Sequence, residues 1–329
     1  MIDFELVKRF VNDEKLPIQP IKNEEYFNYM LNLLEGCFGS LTKWNEWQKI
    51  IESQYEGNSK QYLADFYKFR DKIIEDMKAN PLYQEFNTCD MNKFRVQDMP
   101  QVGATEIYKV TNRGKYYLSI DLKKANYQAL KYVGVITEPS YEVWLSKWTK
   151  LPHLLKSKYL RQVVFGQLNP SRHITVEKYI SSLIYKRLNE YYSLSEISNF
   201  ISFRNDELIW EIPAESLDTV ASMTGEYQEY IAELGFQVSV ELFRLHCFEL
   251  TQEISNHKLN FFKKEYFNGD PNSYHCIPGT YQAIVTKLLN NTKEETEEIE
   301  LCDYDTWFEH DGMLSQFVGN FKLEEIKWD

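Results

Sequence analysis

Two acidic motifs carry the residue types that could support metal-dependent chemistry. Asp121 ends the apolar run YYLSIDL, and Asp206 and Glu207 lie 85 residues further on, at the centre of the stretch ISFRNDELIWEIP. A turn needs an Asn or Asp, but it does not need a second acid followed directly by a hydrophobic strand. Carboxylates on neighbouring strands can hold two divalent cations, roughly 3.5–4 Å apart, for phosphoryl transfer. The plainer alternatives are a polar hairpin turn at Asp206 and Glu207 and a helix N-cap at Asp121.

A basic segment between the two motifs supplies the opposite charge. From Trp144 to Asn189 the chain has nine Lys or Arg and one acid, although the whole protein carries a net charge of −12. In HLLKSKYLRQVVFGQL, Lys158, Arg161 and Phe165 recur at spacings of three and four residues, so they share one helical face. Such a face could bind a triphosphate and flank a base, or it could be an ordinary exposed and core-packing surface.

Composition predicts a folded protein in a reducing compartment. Of the 329 residues 43% are hydrophobic, with 23 Tyr, 20 Phe and 7 Trp, which is enough to bury a large core. The sequence has no apolar run long enough for a membrane span and no secretory signal, so we expect no membrane contact. Five scattered cysteines favour free thiols over a disulfide framework, and we therefore expect a cytoplasmic location.

The hydrophobic pattern changes from helical to strand-like near residue 105. Before that point we expect helices, with Asn23 capping one of them and another ending before Asn80. EIYKVTNRGKYYLSIDL is predicted to form a hairpin that turns at 112–115, and KKANYQALKYVG a short helix. Pro170 is expected to break the next helical run, with Thr175 capping the helix that follows. With the RNDE hairpin, a helix after it and the strand-like FQVSVELFRLHCFEL, the fold class is α+β.

In order and in local sequence these motifs resemble the palm and fingers of family A DNA polymerases, the bacterial DNA polymerase I type. LSIDLKKANYQAL is similar to the family's apolar strand that ends in a metal-binding Asp and leads into a short helix. SKYLRQVVFGQLNPSRHITVEKYI resembles the fingers helix, and FRNDELIWEIP resembles the His-Asp-Glu hairpin. The resemblance covers roughly residues 116–250, and phage-type single-subunit RNA polymerases share the same layout.

The resemblance implies a nucleotidyltransferase that transfers a nucleotide from a dNTP or NTP to the 3′-OH of a primer or other nucleic acid. It implies two Mg²⁺ ions, or Mn²⁺ in their place, held by Asp121 and Asp206, with Glu207 as an auxiliary acid. Asn205 stands where the family has His. The short distance along the chain between the two acidic motifs implies fingers of reduced size.

The nucleotide-binding residues are also implied by this resemblance. Arg161 takes the place of the triphosphate-binding Lys, with Lys158 nearby, and Phe165 takes the place of the ring that flanks the nucleotide. Asn126 occupies the position of the sugar-discriminating Glu, and Ser157 that of the first Arg of the fingers helix.

Three regions follow from this interpretation. Residues 1–105 form a helical, thumb-like region expected to hold duplex, and 106–250 form an antiparallel-sheet palm with reduced helical fingers at about 140–195. Residues 251–329 form an acidic extension, with twelve acids and three bases between 290 and 329. That acidity motivates an alternative function: a catalytically inactive, polymerase-derived module that binds a basic replication protein or nucleic acid.

Overall fold

The computed structural model of the chain describes residues 3–18, 23–96, 99–100, 102–252, 257–268, 274–277, 307–310, 313–316 and 321–327. The part before the sheet is helical, as expected. Its helices are α1 (Phe4–Glu14), α2 (Glu24–Leu33), α3 (Glu35–Phe38), α4 (Ser40–Tyr55), α5 (Ser59–Ala79) and α6 (Pro81–Thr88). Asn23 caps α2 as predicted, because its Oδ1 accepts a hydrogen bond from the Tyr26 N–H at 2.9 Å.

Seven further helices are described between the strands. They are α7 (Ala125–Tyr132), α8 (Tyr141–Leu145), α9 (Pro152–Lys156), α10 (Lys158–Gly166), α11 (Pro170–Tyr192), α12 (Leu194–Ile197) and α13 (Leu217–Glu233). The prediction that Thr175 caps a helix is wrong. The helical run does break before Pro170, because α10 ends at Gly166, and Pro170 itself opens α11, since the first helical turn needs no N–H from proline. Thr175 lies inside α11 and donates to the Ser171 carbonyl at 3.0 Å.

The strands form one main antiparallel sheet, which confirms the mixed helix and antiparallel-sheet class. They are β1 (Tyr116–Leu122), β2 (Asn199–Arg204), β3 (Glu207–Ile212), β4 (Val238–Gln252), β5 (His257–Tyr266), β6 (Tyr274–Ile277), β7 (Trp307–His310), β8 (Met313–Gln316) and β9 (Phe321–Glu325). The main sheet has the order β2-β3-β1-β4-β5-β6, β9 also pairs with β4, and β7 pairs with β8 alone. The first four strands and their helices follow the split β-α-β order.

One predicted strand is absent from this sheet. The hairpin expected across 106–122 does not form: only β1 is a strand, and residues 110–112 make a short 3₁₀ turn. The physical reason is that both edges of β1 are already paired, with β3 on one side and β4 on the other. Ile107 instead packs against the sheet, in a buried cluster with Tyr117 and Ile209.

The helices pack into two hydrophobic cores. The first is made by α1, α2, α4 and the start of α5, from Leu6 to Tyr62. The second runs from Phe66 in α5 to Leu242 in β4 and joins α6, α7, α10, α11 and α13 to the sheet. Helix α5 therefore contributes to both cores, and the helices just before residue 105 pack with the sheet. Strands β5, β6 and β9 extend the same sheet beyond residue 250.

The two faces of β1 have different surroundings. Leu118, Ile120 and Leu122 pack into the core that contains the helices. Tyr117 packs on the other face, and since side chains alternate along a strand, Asp121 is placed on that second face. None of the described helices is long and apolar enough to cross a membrane, and the thiols of Cys89 and Cys247 are free.

Candidate functional site

The two acidic motifs meet at one end of the sheet. Asp121 is paired with Glu207 across β1 and β3, and the Leu122 N–H donates to the Asp206 carbonyl at 2.9 Å. The Asp121–Glu207 position is therefore of the non-hydrogen-bonded type, in which Cα atoms lie about 4.5 Å apart and side chains are close. The expectation that the motifs occupy neighbouring strands is met by this pairing.

The turn between β2 and β3 consists of Asn205 and Asp206. Asn205 has a φ of 33°, a left-handed value that Asn tolerates better than most residues. The turn therefore accounts for Asn205. It does not account for Glu207, which begins β3 half-buried and whose Oε1 accepts a hydrogen bond from the Ser119 hydroxyl at 2.8 Å.

The carboxyl of Asp121 has an unusual protonation equilibrium. The residue keeps contact with solvent, but displacement of water around the carboxyl, together with repulsion from Asp206 and Glu207, raises its pKa to about 7. The charge of Lys158 acts in the opposite direction. Burial also raises the pKa of Asp206, again opposed by Lys158. Shifts of this kind, caused by burial and neighbouring like charges, are typical of sites that bind or react.

Glu177 is a further acid of this site that the sequence analysis did not select. It lies on α11, is only 4% exposed, and its Oε1 has no hydrogen-bond partner among the described residues. Burial and the charge of Asp206 raise its pKa to about 7. The sequence does distinguish Glu177 in one way, because it is the one acid in the basic segment from Trp144 to Asn189.

Glu241 joins the same face of the sheet from β4. Its charge also acts on Asp121, and it is paired with Ser119 across β1 and β4. The Lys264 ammonium binds Glu241 at 2.8 Å, so Glu241 already has its counter-charge. The alternation in VSVEL of β4 placed Glu241 on the non-helical face, which could have indicated this position from sequence.

The basic helix α10 brings its cations towards these acids. Ser157 caps the helix by accepting a hydrogen bond from the Leu160 N–H at 3.0 Å. Lys158 is exposed, and its charge acts on both Asp121 and Asp206. Arg161 is half-buried, with Cζ 5.8 Å from the Tyr141 ring centroid, and Asp121 is among the groups that favour its charged form.

Phe165 and Asn126 occupy less exposed positions than the resemblance implied. Phe165 is 1% exposed and stacks on Trp144 with centroids 5.5 Å apart, so its ring belongs to the core and is not presented to a nucleotide. Helical spacing placed it with Lys158 and Arg161, but contact with Trp144 and with His173 on α11 decides its burial. Asn126 is half-buried in the first turn of α7, directly after the strand of Asp121.

A cavity of about 560 Å³ lies elsewhere, beside α5 and Trp148. Its lining carries acids and bases in similar number, and some are already paired, such as Lys72 with Asp76 at 2.8 Å. With three acids and two lysines in its lining, the cavity has only a small net negative charge. Asp121 and Asp206 are not part of this cavity.

Comparison with known proteins gives no relative. No protein-family profile matches the sequence, and neither a curated protein nor a solved structure matches the chain. Within the described ranges, no group of three or more His, Cys, Asp or Glu side chains has metal-binding geometry.

Proposed function

We propose that the protein is a nucleotidyltransferase, similar to family A polymerases, that adds a nucleotide from a dNTP or NTP to a 3′-OH. One observation carries the proposal: Asp121, Asp206, Lys158 and Arg161 come from three separate segments and act electrostatically on one another. Two acids beside two cations, at the open end of a sheet, suit a substrate that carries both metal ions and phosphates.

The carboxylates fit the cation that this reaction requires. Mg²⁺ prefers oxygen ligands and is usually held by one or two carboxylates, with water and phosphate oxygens completing its coordination. Asp121 and Asp206 would hold the two ions, and Glu177 adds a buried oxygen, Oε1, that has no hydrogen-bond partner among the described residues. When bound, the cations would lower the pKa of the attacking hydroxyl and neutralise phosphate charge.

The remaining residues bind and orient. Lys158 is a mobile point charge on the exposed side of α10, suited to the outer phosphates. Arg161 is held against Tyr141 and presents a planar set of donors that matches a phosphate bidentately. Ser119 holds the Glu207 carboxylate in place, which keeps an acid next to Asp121. Phe165 has no direct part in this scheme.

Primer extension tests the proposal directly. Purified protein is incubated with a labelled primer, with and without template, offering dNTPs and NTPs in separate reactions with Mg²⁺ or Mn²⁺. We expect extension by the wild type, and a loss of roughly a thousandfold or more in Asp121→Asn and Asp206→Asn, because metal stabilisation supplies several kcal/mol.

Glu211→Gln is the matched control. Glu211 lies on β3 like Glu207, but it pairs with Lys115 at 2.9 Å towards the far end of the strand, so extension should be unchanged. Equal extension by wild type, D121N and D206N would contradict the proposal. A folded wild-type protein that extends no primer would favour the alternative of a binding module, whose acidic segment 290–329 falls largely outside the described residues.

A further inference from the structure

Three aromatic side chains form a patch on the helices that cover one face of the sheet. Phe94 lies in a 3₁₀ turn (Met91–Phe94), Tyr132 ends α7 and Tyr179 lies in the middle of α11. Their ring centroids are 6.5, 5.7 and 6.0 Å apart, within the range of aromatic pairs. Tyr132 also packs on Phe236, at 5.9 Å, and yet it is 41% exposed. The packing holds this exposed tyrosine in place.

Each ring of the patch has a cation next to it in the sequence. Three of these cations are exposed and form no ion pair with the described residues: Lys93, Arg95 and Lys178. The Lys93 ammonium lies 5.0 Å from the Phe94 ring centroid, which places it on the patch itself. Lys131 comes just before Tyr132 and donates to the neutral Pro139 carbonyl at 3.0 Å. The patch therefore combines aromatic rings with positive charge.

Acids are scarce around this patch. The 3₁₀ turn and α7 contain none, and Glu177 of α11 is only 4% exposed. Asp90 lies just before the turn, but its carboxylate caps the turn by accepting from the Asn92 N–H at 2.9 Å. Glu190 lies near the end of α11 and pairs with Arg187 at 3.2 Å. The patch is thus locally positive on a protein whose net charge is −12, and such a patch attracts anionic partners.

A single strand of nucleic acid matches both features of the patch. Its phosphates are attracted by the cations, and its unstacked bases can lie on the tyrosine rings. A duplex offers phosphates but keeps its bases stacked on one another, so it would leave the rings unused. An acidic protein segment would bind the cations, but its carboxylates have no flat ring surface to place on Tyr132 or Tyr179.

We propose that the surface formed by Phe94, Tyr132, Tyr179 and the neighbouring cations binds a single strand of DNA or RNA. Helices α7 and α11 pack with Leu118 on one face of the sheet, whereas Asp121 is placed on the other face. The inference therefore goes beyond the proposed function, because this surface is separate from the proposed catalytic site and needs no divalent cation. It holds a strand whether or not the protein extends that strand.

Fluorescence anisotropy with the full-length protein tests the assignment. Labelled oligothymidylate, oligouridylate and a DNA duplex, each of about 20 nucleotides per strand, are titrated in EDTA so that no divalent cation takes part. We expect the single strands to bind more tightly than the duplex, and the two single strands together show whether DNA or RNA is preferred. Tyr132→Leu keeps an apolar side chain but removes the ring, and it should weaken single-strand binding roughly tenfold, the loss of one stacked base.

The salt dependence of binding tests the cations. Lys93→Ala and Lys178→Ala should each reduce the slope of log affinity against log salt concentration by about 0.7, the contribution of one phosphate contact in a single strand. Lys49→Ala, an exposed cation on α4, is the control and should leave the slope unchanged. Because both patch lysines are exposed, their variants should fold normally and keep the test decisive if Y132L folds poorly.

Tyr191→Leu is the matched control for the ring. Tyr191 is 68% exposed, but it stacks on Tyr230 in the last turn of α11, and its loss should not change binding. Wild-type affinity in Y132L with unchanged salt slopes in both lysine variants would overturn the inference. Tighter binding of oligoglutamate than of either single strand would also overturn it.

The outcomes for this surface and for the proposed function can be told apart. Weakened strand binding in Y132L, in a protein that extends no primer, would support the surface and remove only the polymerase activity. Normal strand binding in Y132L and in both lysine variants, with extension lost in D121N and D206N, would remove the surface and leave the proposed function intact.

Discussion

Asp13 and Glu177 are both acids buried on helices, and the contrast between them concerns what surrounds each carboxylate. The Arg9 guanidinium donates to both oxygens of Asp13, at 2.9 Å from Nε and 2.7 Å from Nη2. The Ser157 hydroxyl adds a third hydrogen bond at 3.2 Å, and Arg9 itself lies over the rings of Phe66 and Tyr159. Glu177 has an Oε1 without a partner among the described residues, and the charge of Asp206 raises its pKa further.

Protonation alone does not distinguish the two acids. Burial raises the pKa of Asp13 to about 6 in spite of Arg9, and burial with Asp206 raises that of Glu177 to about 7. Their hydrogen-bond partners do distinguish them. A carboxylate with a complete set of donors, such as Asp13, forms a structural contact, whereas a buried carboxylate oxygen without a donor leaves a place for a ligand. Four substitutions test this distinction, and the effects we expect from them decrease in size from Asp13 to Ser157.

Asp13→Asn should destabilise the fold most. Arg9 would stay buried without its counter-charge, and breaking one partner of a buried pair costs about 3–5 kcal/mol. Urea denaturation measures the loss, and stabilisation of the folded variant by Mn²⁺ should be unaltered. A loss below about 1 kcal/mol would mean that Arg9 and Asp13 contribute no more than a surface pair.

Arg161→Ala should reduce primer extension roughly 100-fold, the usual loss when one preorganised charge donor is removed. The fold should lose only about 1 kcal/mol of stability, because the substitution chiefly removes the packing of the guanidinium on the Tyr141 ring. Steady-state kinetics with varied nucleotide measure the first effect. Lys186→Ala, an exposed cation on α11, is the control, and equal reductions in both variants would contradict a specific role for Arg161.

The pH dependence of stability should differ between E177Q and the wild type. A raised pKa of a carboxyl stabilises the folded state while the group is protonated. That contribution is lost as the pH rises from 4.5, the ordinary value, through about 7. Between pH 5 and 8, E177Q should therefore gain about 2–3 kcal/mol relative to the wild type in metal-free buffer.

Denaturation at each pH, with E211Q as control, measures this difference. His153 and His173 have pKa values lowered by burial to about 4 and titrate in the opposite direction, but they are common to both proteins and cancel. A constant difference across the range would show that the pKa of Glu177 is not raised in the folded protein.

Ser157→Ala should have the smallest effect, about 1 kcal/mol of stability, the usual value of an N-cap. Ser157 is informative because it belongs to both regions: it caps α10, which carries Lys158, and it donates to Asp13. Calorimetry measures the stability, and nucleotide titration shows whether a looser α10 start weakens binding. An unchanged melting temperature would argue against both hydrogen bonds.

The sequence predicted the parts of the fold that depend on short-range patterns. The cap at Asn23, the end of α5 before Asn80, and the RNDE turn all follow from local residue preferences. The candidate site was found because its acids lie at element ends. Phe165 was misplaced and Glu177 was not selected, since burial of each is decided by packing against segments distant in sequence. The strand predicted before Gly114 does not form for the same reason, because β3 and β4 pair with both edges of β1.

The pairing of β1 with β3 also has a consequence for how the chain folds. Hairpin β2-β3 closes over two residues and should form early, but β1 joins it only after the whole intervening helical segment has been enclosed as a loop. Asp121 and Glu207 thus come into register late. A cation that binds there would change the folding rate little and would chiefly slow unfolding. Its effect should therefore appear in the unfolding rate.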